Sequence, residues 1–383
     1  MKKRFVACVM TVVVVAGLFA GCGKKKEAET SISNSETIKI GVGVPMTGGS
    51  AELGGRVFNG AELAVNEINE AGGVKGKKIE LVSMDDKADP KEAANVAKLF
   101  VADKDIVACI AGYNSSCTLS GAPIYNKAGL VHIAVGSSSP KVSTAGDYTF
   151  RVWNSDVYRA TFDLDVIIDA GYKKIGIIYQ NDDFGQGALE VAKERLKEEG
   201  IEPLVAEGYL LGETIDFNTV ITKMVDTGCE AVFAIADETE LAAFAKQCVQ
   251  QGYTPFISAT GTYNPSVISL GGDAVEGMVG DSYFDPDNVP EKAKEFFDKY
   301  NDKYSANGVR TEDPTSPCAY AAIYMLKAAI EDGAETREDI QKYLANLKDF
   351  ETVVGSLSFD ENGDVKIPLV AVQIKDGAFA AYK

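Results

Sequence analysis

The chain has 383 residues, a quarter of them charged, and a formal net charge of −18 at pH 7. So acidic a balance excludes an electrostatic footprint for nucleic acid or anionic lipid, and the length exceeds what one core usually serves, so two lobes are expected. One histidine and seven cysteines without CxxC spacing exclude a zinc ribbon and a histidine-built metal site, and indicate no disulfide framework.

The chain opens with Met1-Lys2-Lys3-Arg4, an uncharged apolar run from Phe5 to Phe19, and Ala20-Gly21-Cys22. A basic start, an apolar stretch shorter than the ~20 residues of a membrane span, and small residues at its end read as a secretory signal over 1–21. Cys22 in that place resembles the bacterial lipobox cysteine, which is lipid-modified as the first mature residue, although Phe19 stands where that motif usually has Leu. Ordinary cleavage near Ala20, or an uncleaved anchor, is the alternative. Loss of Lys2, Lys3 and Arg4 with the leader takes the net charge from −18 to −21. Residues 22–36 are polar and free of aromatics, a flexible tether.

From Ile38 the chain alternates short β-rich runs with amphipathic stretches. Residues 38–44, 79–84, 106–111 and 130–135 read as buried parallel strands. Between them, Ala61, Ala64, Val65 and Ile68 share a helical face that ends at Gly72-Gly73, and 90–102 and 119–127 are the next helices. The alternation restarts with a helix at 156–169, strands at 174–179, 203–209, 231–236, 255–258 and 277–281, and helices at 185–199, 217–227 and 241–251. Helices at 290–305, 317–331 and 337–347 follow. The end reads as antiparallel strands at 357–359, 369–375 and 379–382, with type I′ turns at Asn362-Gly363 and Asp376-Gly377. The fold class is α/β, two doubly wound Rossmann-like lobes.

Gly41-x-Gly43 follows the first strand, but Met46 and Pro45 break the dinucleotide fingerprint, and no cofactor is expected. His132 lies inside a strand pattern, no GxSxG elbow exists, and the chain does not read as an enzyme. Asp85-Asp86 and Asn181-Asp182-Asp183 could pair carboxylates, but more often such residues finish strands or cap helices. Cys109 and Cys117 could form a bridge, or be two of several small buried hydrophobes. The informative segment is Tyr113-Asn114-Ser115-Ser116-Cys117-Thr118, between a strand and a helix. Free N–H groups and the helix dipole there make an anion cradle. Val135-Gly136-Ser137-Ser138-Ser139 closes the next strand, so two donor-rich loops converge at the carboxyl edge of one sheet, where α/β proteins bind ligands. A bare helix cap is the alternative for each loop alone.

Pro45-Met46-Thr47-Gly48, Leu53-Gly54, the run Asn59 to Asn69, Gly72-Gly73-Val74-Lys75-Gly76-Lys77-Lys78-Ile79, Asp85-Asp86 with Asp89-Pro90, Ser115-Ser116, Asp182 to Gly187 and Phe359 to Asp364 resemble one family across the mature chain. It is that of the substrate-binding proteins of branched-chain amino acid ABC transporters, the type 1 periplasmic binding proteins. The resemblance implies two lobes joined by three crossings that close on a small ligand and present it to a membrane permease. It places lobe one at 37–154 plus 286–355 and lobe two at 155–285 plus 356–383. With the charge and the leader, the expectation is an exported monomer without nucleic-acid partners, touching the membrane only through a lipid anchor at Cys22, at the outer face of the cytoplasmic membrane or in a periplasm.

Carried over by position, the α-carboxylate of an amino acid falls to Ser115, the backbone of Gly136, and Ser138. Phe184 takes a place the family often gives to Tyr, and Asp237 ends a strand where it could partner an ammonium group or merely cap a helix. Leucine-type binders have an acidic residue near what is here Thr260 and an aromatic near what is here Leu53; both are absent. Tyr113, Trp153 and Tyr283, near strand ends or crossings, could wall the side-chain pocket or belong to the core. A small amino acid, branched-chain or otherwise aliphatic, is the expected ligand; an amide, urea or an aromatic acid, or a sensory rather than transport role, is the alternative.

Overall fold

The computed structural model describes Ile32 and residues 36–214, 216–261, 263–305 and 312–383. The expected signal, and lipidation at Cys22, lie outside the described residues.

The first lobe is built on β1 (Thr37–Val44), α1 (Ala51–Glu70), β2 (Lys78–Asp85), α2 (Pro90–Ala102), β3 (Ile106–Ala111), α3 (Ser115–Ala128), β4 (Val131–Ala134) and β5 (Thr149–Arg151). Its strands are all parallel, in the order β2-β1-β3-β4-β5. Helices cover both faces, so β3 is buried at every position, which is why its sequence is a continuous apolar run rather than an alternating one. Asp89 starts α2 by accepting from the N–H groups of Lys91 and Glu92, with Pro90 at its first position. A side chain at Gly43 would meet Val96 Cγ1 at 2.8 Å and Phe100 at 3.1 Å. That glycine motif therefore serves close packing of α2 on β1 and not a phosphate.

The second lobe comprises α4 (Asp156–Asp169), β6 (Ile175–Gln180), α5 (Asp183–Glu198), β7 (Val205–Tyr209), α6 (Asn218–Thr227), β8 (Ala231–Ile235), α7 (Glu238–Gln250), β9 (Phe256–Ala259), α8 (Pro265–Gly271) and β10 (Val279–Ser282). The chain then returns to the first lobe with α9 (Glu291–Tyr304), α10 (Thr315–Glu331), α11 (Arg337–Ala345), β11 (Phe350–Thr352) and β12 (Gly355–Leu357). It ends in β13 (Val370–Lys375) and β14 (Ala378–Ala381), which join the second sheet antiparallel, giving the order β14-β13-β10-β9-β8-β6-β7.

Two expectations are corrected, and one strand was not read. The sequence boundary at 356 falls too early: Leu357, Phe359, Val365 and Ile367 pack in the first lobe's core, so the last crossing follows Ile367. Residues 357–359 are not one arm of a hairpin turning at Asn362-Gly363. Only Leu357 is in a strand, β12, which pairs with β11, while Asp360 Oδ1 accepts from the N–H groups of Asn362 and Asp364 and folds a loop. That side chain competes for the backbone donors a hairpin would use. The three-residue β5 carries too short a pattern to read from periodicity. By contrast, Asp376 and Gly377 both have positive φ, 52° and 72°, as a type I′ turn requires.

Candidate functional site

Both sheets reverse their strand order beside the first strand of each lobe, between β1 and β3 and between β6 and β8. Such switch points leave a crevice at the carboxyl ends of the strands. A cleft enclosing about 720 Å³ of empty space, open solvent at its mouth included, lies there between the lobes.

Tyr113, Ser115, Gly136, Ser138, Trp153, Phe184, Asp237 and Thr260 all line this cleft, as does Leu53. Tyr283 does not. Its hydroxyl accepts from the N–H of Asn154 at 2.9 Å and its ring packs 5.2 Å from that of Trp153, so it stands behind the wall.

The first-lobe half is a donor array. Ser115 opens α3, whose first-turn N–H groups have no acceptor within the helix, and Asn114 in the N-cap position turns its amide to Ser50 Oγ instead of capping. The Ser115 hydroxyl accepts from the N–H of Ser139 at 3.2 Å, tying the two donor-rich loops together. Gly136 has a φ of 99°, and a Cβ there would lie 2.4 Å from the Tyr113 ring, so only glycine lets the aromatic approach this backbone.

The second-lobe half is acidic. Asp237 occupies the N-cap position of α7, yet its side chain makes no capping bond, and among the described residues nothing pairs with it. Burial, and then the Glu238, Glu240 and Asp182 carboxylates, push it well above the ordinary carboxylate range. Burial also pushes the neighbouring Glu238 up to about 7. Trp153 Nε1, Thr260 Oγ1 and the Gln180 Oε1 atom are buried on the same walls without a hydrogen-bond partner among the described residues. Unpaired buried polar groups are costly, and here they converge on one space.

Two ion pairs brace the cleft and were missed from sequence. Arg159 on α4 donates to both carboxylate oxygens of Asp281, at 2.8 and 3.0 Å, and to the carbonyl of Thr260. Arg56 on α1 lies 3.2 Å from Asp313, beside the Pro314 and Thr315 that start α10. The available signal was charge at core-facing positions: Asp156, Arg159 and Asp163 share the buried face of α4, and Asp281 sits inside a fully buried strand.

The remaining polar motifs take structural places. Asp85 accepts from Met46, Thr47 and Lys87 N–H groups, and Asp182 caps α5 through Gly185. Asp183 lies across the cleft rim, 2.8 Å from Lys141, with its N–H on Ser116 Oγ. His132 is fully buried, and Cys109 and Cys117 are free thiols.

A family profile described as periplasmic binding protein matches residues 37–378. The chain is 33% identical over 336 residues to a Leu/Ile/Val-binding protein homolog 1 of Brucella suis, covering 86% of this chain and 88% of that one. It is 30% identical over 339 residues to a leucine-, isoleucine-, valine-, threonine- and alanine-binding protein of Pseudomonas aeruginosa, covering 87% and 88%. Among solved structures, it is similar to the branched-chain amino acid transporter substrate binding protein LivJ of Streptococcus pneumoniae in complex with isoleucine, with a TM-score of 0.82, 26% identity, and coverage of 91% and 99%. The chain belongs to the periplasmic binding protein family.

Proposed function

We propose that this protein is the extracytoplasmic ligand-binding component of an ABC importer, and that it captures a small aliphatic α-amino acid between its lobes for delivery to a membrane permease. The observation that carries the reading is the pairing of opposites across one cleft. Ser115, Gly136 and Ser138 offer donors to a carboxylate, and the uncapped Asp237 faces them as a partner for an ammonium group. A zwitterion answers both halves, and bringing a cation to a cluster of buried carboxylates relieves their mutual repulsion. Leu53, Phe184, Tyr113 and Trp153 supply apolar wall for a short side chain. Closure of the lobes on the ligand is then what the permease reads. Cys22 would hold the protein, a monomer, to the outer face of the membrane.

The test is calorimetric titration of the mature chain carrying Cys22→Ser, freed of ligand by unfolding and refolding, with Leu, Ile, Val, Ala, Thr, Phe, γ-aminobutyrate, urea and acetamide. Tight binding of an aliphatic α-amino acid, weakened at least ~10-fold (about 1.4 kcal/mol) by Asp237→Asn, is the expected result. Binding only of an acid or amide without an α-ammonium group, or indifference to Asp237→Asn, overturns it. That second reading draws on Thr260, which stands where leucine-type binders carry an acid.

A further inference from the structure

The residues lining the cleft leave Asn154 and Tyr283 unexplained, and both lie where the lobes join. Asn154 is 1% exposed and follows β5 at the first crossing. Its backbone N–H donates to Tyr283 Oη at 2.9 Å, just beyond β10 at the second crossing. Its side-chain amide meets the backbone of Ile367, ahead of the third crossing, twice: Nδ2 donates to the carbonyl at 2.8 Å and Oδ1 accepts the N–H at 2.8 Å. One buried residue thus bonds to segments 129 and 213 positions away, and touches all three connections between lobes.

An asparagine suits this place because its amide carries a donor and an acceptor side by side, matching the N–H and C=O of one residue. Buried and fully paired, those bonds are expensive to break, because each broken one strands a polar group away from water. Three independent crossings could each absorb its own backbone rotation. Tied at one point, they must turn together. Trp153, next in the chain, lines the cleft with its ring between Tyr283, at 5.2 Å, and the Arg159 guanidinium, at 5.4 Å. The same point therefore fixes where an aromatic wall of the cleft stands.

We propose that Asn154 is a positioning residue for ligand capture, which with Tyr283 and Ile367 binds the three crossings into a single hinge, limits how far the lobes part, and holds Trp153 at the cleft floor. The inference concerns the hinge and does not depend on which ligand binds.

It is tested on the ligand-free mature chain with Cys22→Ser by small-angle X-ray scattering, comparing wild type, Tyr283→Phe, Asn154→Ala and the double variant, with thermal melting alongside. Each single variant is expected to raise the radius of gyration by about 1 Å over the ~20 Å expected for a compact chain of this size. The double variant, which cuts the ties to both the second and the third crossing, should open at least as far as the larger single. Scattering that superimposes on wild type in the folded variants overturns the proposal, whether or not the melting temperature falls, since the residues would then be only structural. Tyr283→Phe removes only the acceptor of one N–H, so it decides the matter if Asn154→Ala does not fold.

Discussion

Arg56 and Asn264 meet across the cleft. The Arg56 Nη2 atom, on the first lobe, donates to Asn264 Oδ1, on the second, at 3.1 Å, while Nη1 stays 3.2 Å from Asp313 on its own lobe. The same Asn264 oxygen accepts from the N–H of Ser266 and so starts α8. Next to it, Ser266 Oγ donates to Glu52 at 2.6 Å. A helix cap on one lobe is therefore also the landing point of a charge held on the other, and parting of the lobes would break the contact.

Asn264→Ser keeps a capping oxygen for α8 but is too short to reach Arg56. A hydrogen bond to a charged group contributes about 1.5–3 kcal/mol, so ligand affinity is expected to fall about tenfold. Most of that should appear as faster dissociation, because the contact forms after encounter. Stopped-flow tryptophan fluorescence reads it, since Trp153 is the sole tryptophan and lies in the cleft. Unchanged dissociation would show that this contact does not hold the closed form.

Arg159→Met leaves Asp281 buried, 5% exposed, without its cation. Breaking a buried pair from one side costs about 3–5 kcal/mol. Chemical denaturation should show a loss of that order, partly recovered in Arg159→Met with Asp281→Asn, which removes the stranded charge. No recovery in the double variant would mean that the lost bond to Thr260, not the unpaired carboxylate, dominates.

His132 and Asp86 move stability in opposite directions with pH. Burial lowers His132 to about 3, so the unfolded chain takes its proton first and stability is lost as pH falls from about 6.5 towards 3. His132→Phe should flatten that slope. Burial raises Asp86 to about 7, so the folded chain keeps its proton longer, and stability is lost as pH rises from about 4 towards 7. Asp86→Asn should therefore raise the melting temperature at pH 8 relative to wild type and leave it nearly unchanged at pH 4. Equal effects at both pH values would contradict the assignment.

Cys109, Cys117, Cys229, Cys248 and Cys318 are all free and buried. Burial pushes their thiols up, and a buried protonated thiol reacts slowly. In the mature chain with Cys22→Ser, a thiol reagent should find almost nothing in the folded protein and five equivalents in denaturant. Three in denaturant would reveal a Cys109–Cys117 bridge that the structure lacks.

Much of the cleft was legible because its residues sit at ends of strands, and strands announce themselves. Ser115 and Ser138 sit in loops after apolar runs that periodicity picks out, whereas Phe184 and Asp237 came from the family resemblance, carried over by position. Their convergence rests on a general property of parallel sheets. Tyr283 was misplaced by the same logic: it follows β10, but an aromatic at a crossing can face the cleft or the joint, and only packing against Trp153 and Asn154 chose the joint. The hairpin expected at Asn362-Gly363 failed because Asp360, three residues from Gly363, captures the backbone donors, leaving Asp364 to pair with Arg151.

The sequence by itself determined the two α/β lobes, the order of nearly every helix and strand, and the donor-rich loops at the ends of β3 and β4. Local periodicity, glycine placement and capping residues encode these within a few neighbouring positions. Only the tertiary structure decided which charges pair and how the lobes are joined. Arg159 finds Asp281 122 positions on, Arg56 finds Asn264 208 positions on, and Asn154 finds Ile367 213 positions on. No local pattern records such distances; each pairing becomes possible only when both sheets have formed and burial makes an unpaired charge or amide too costly to leave.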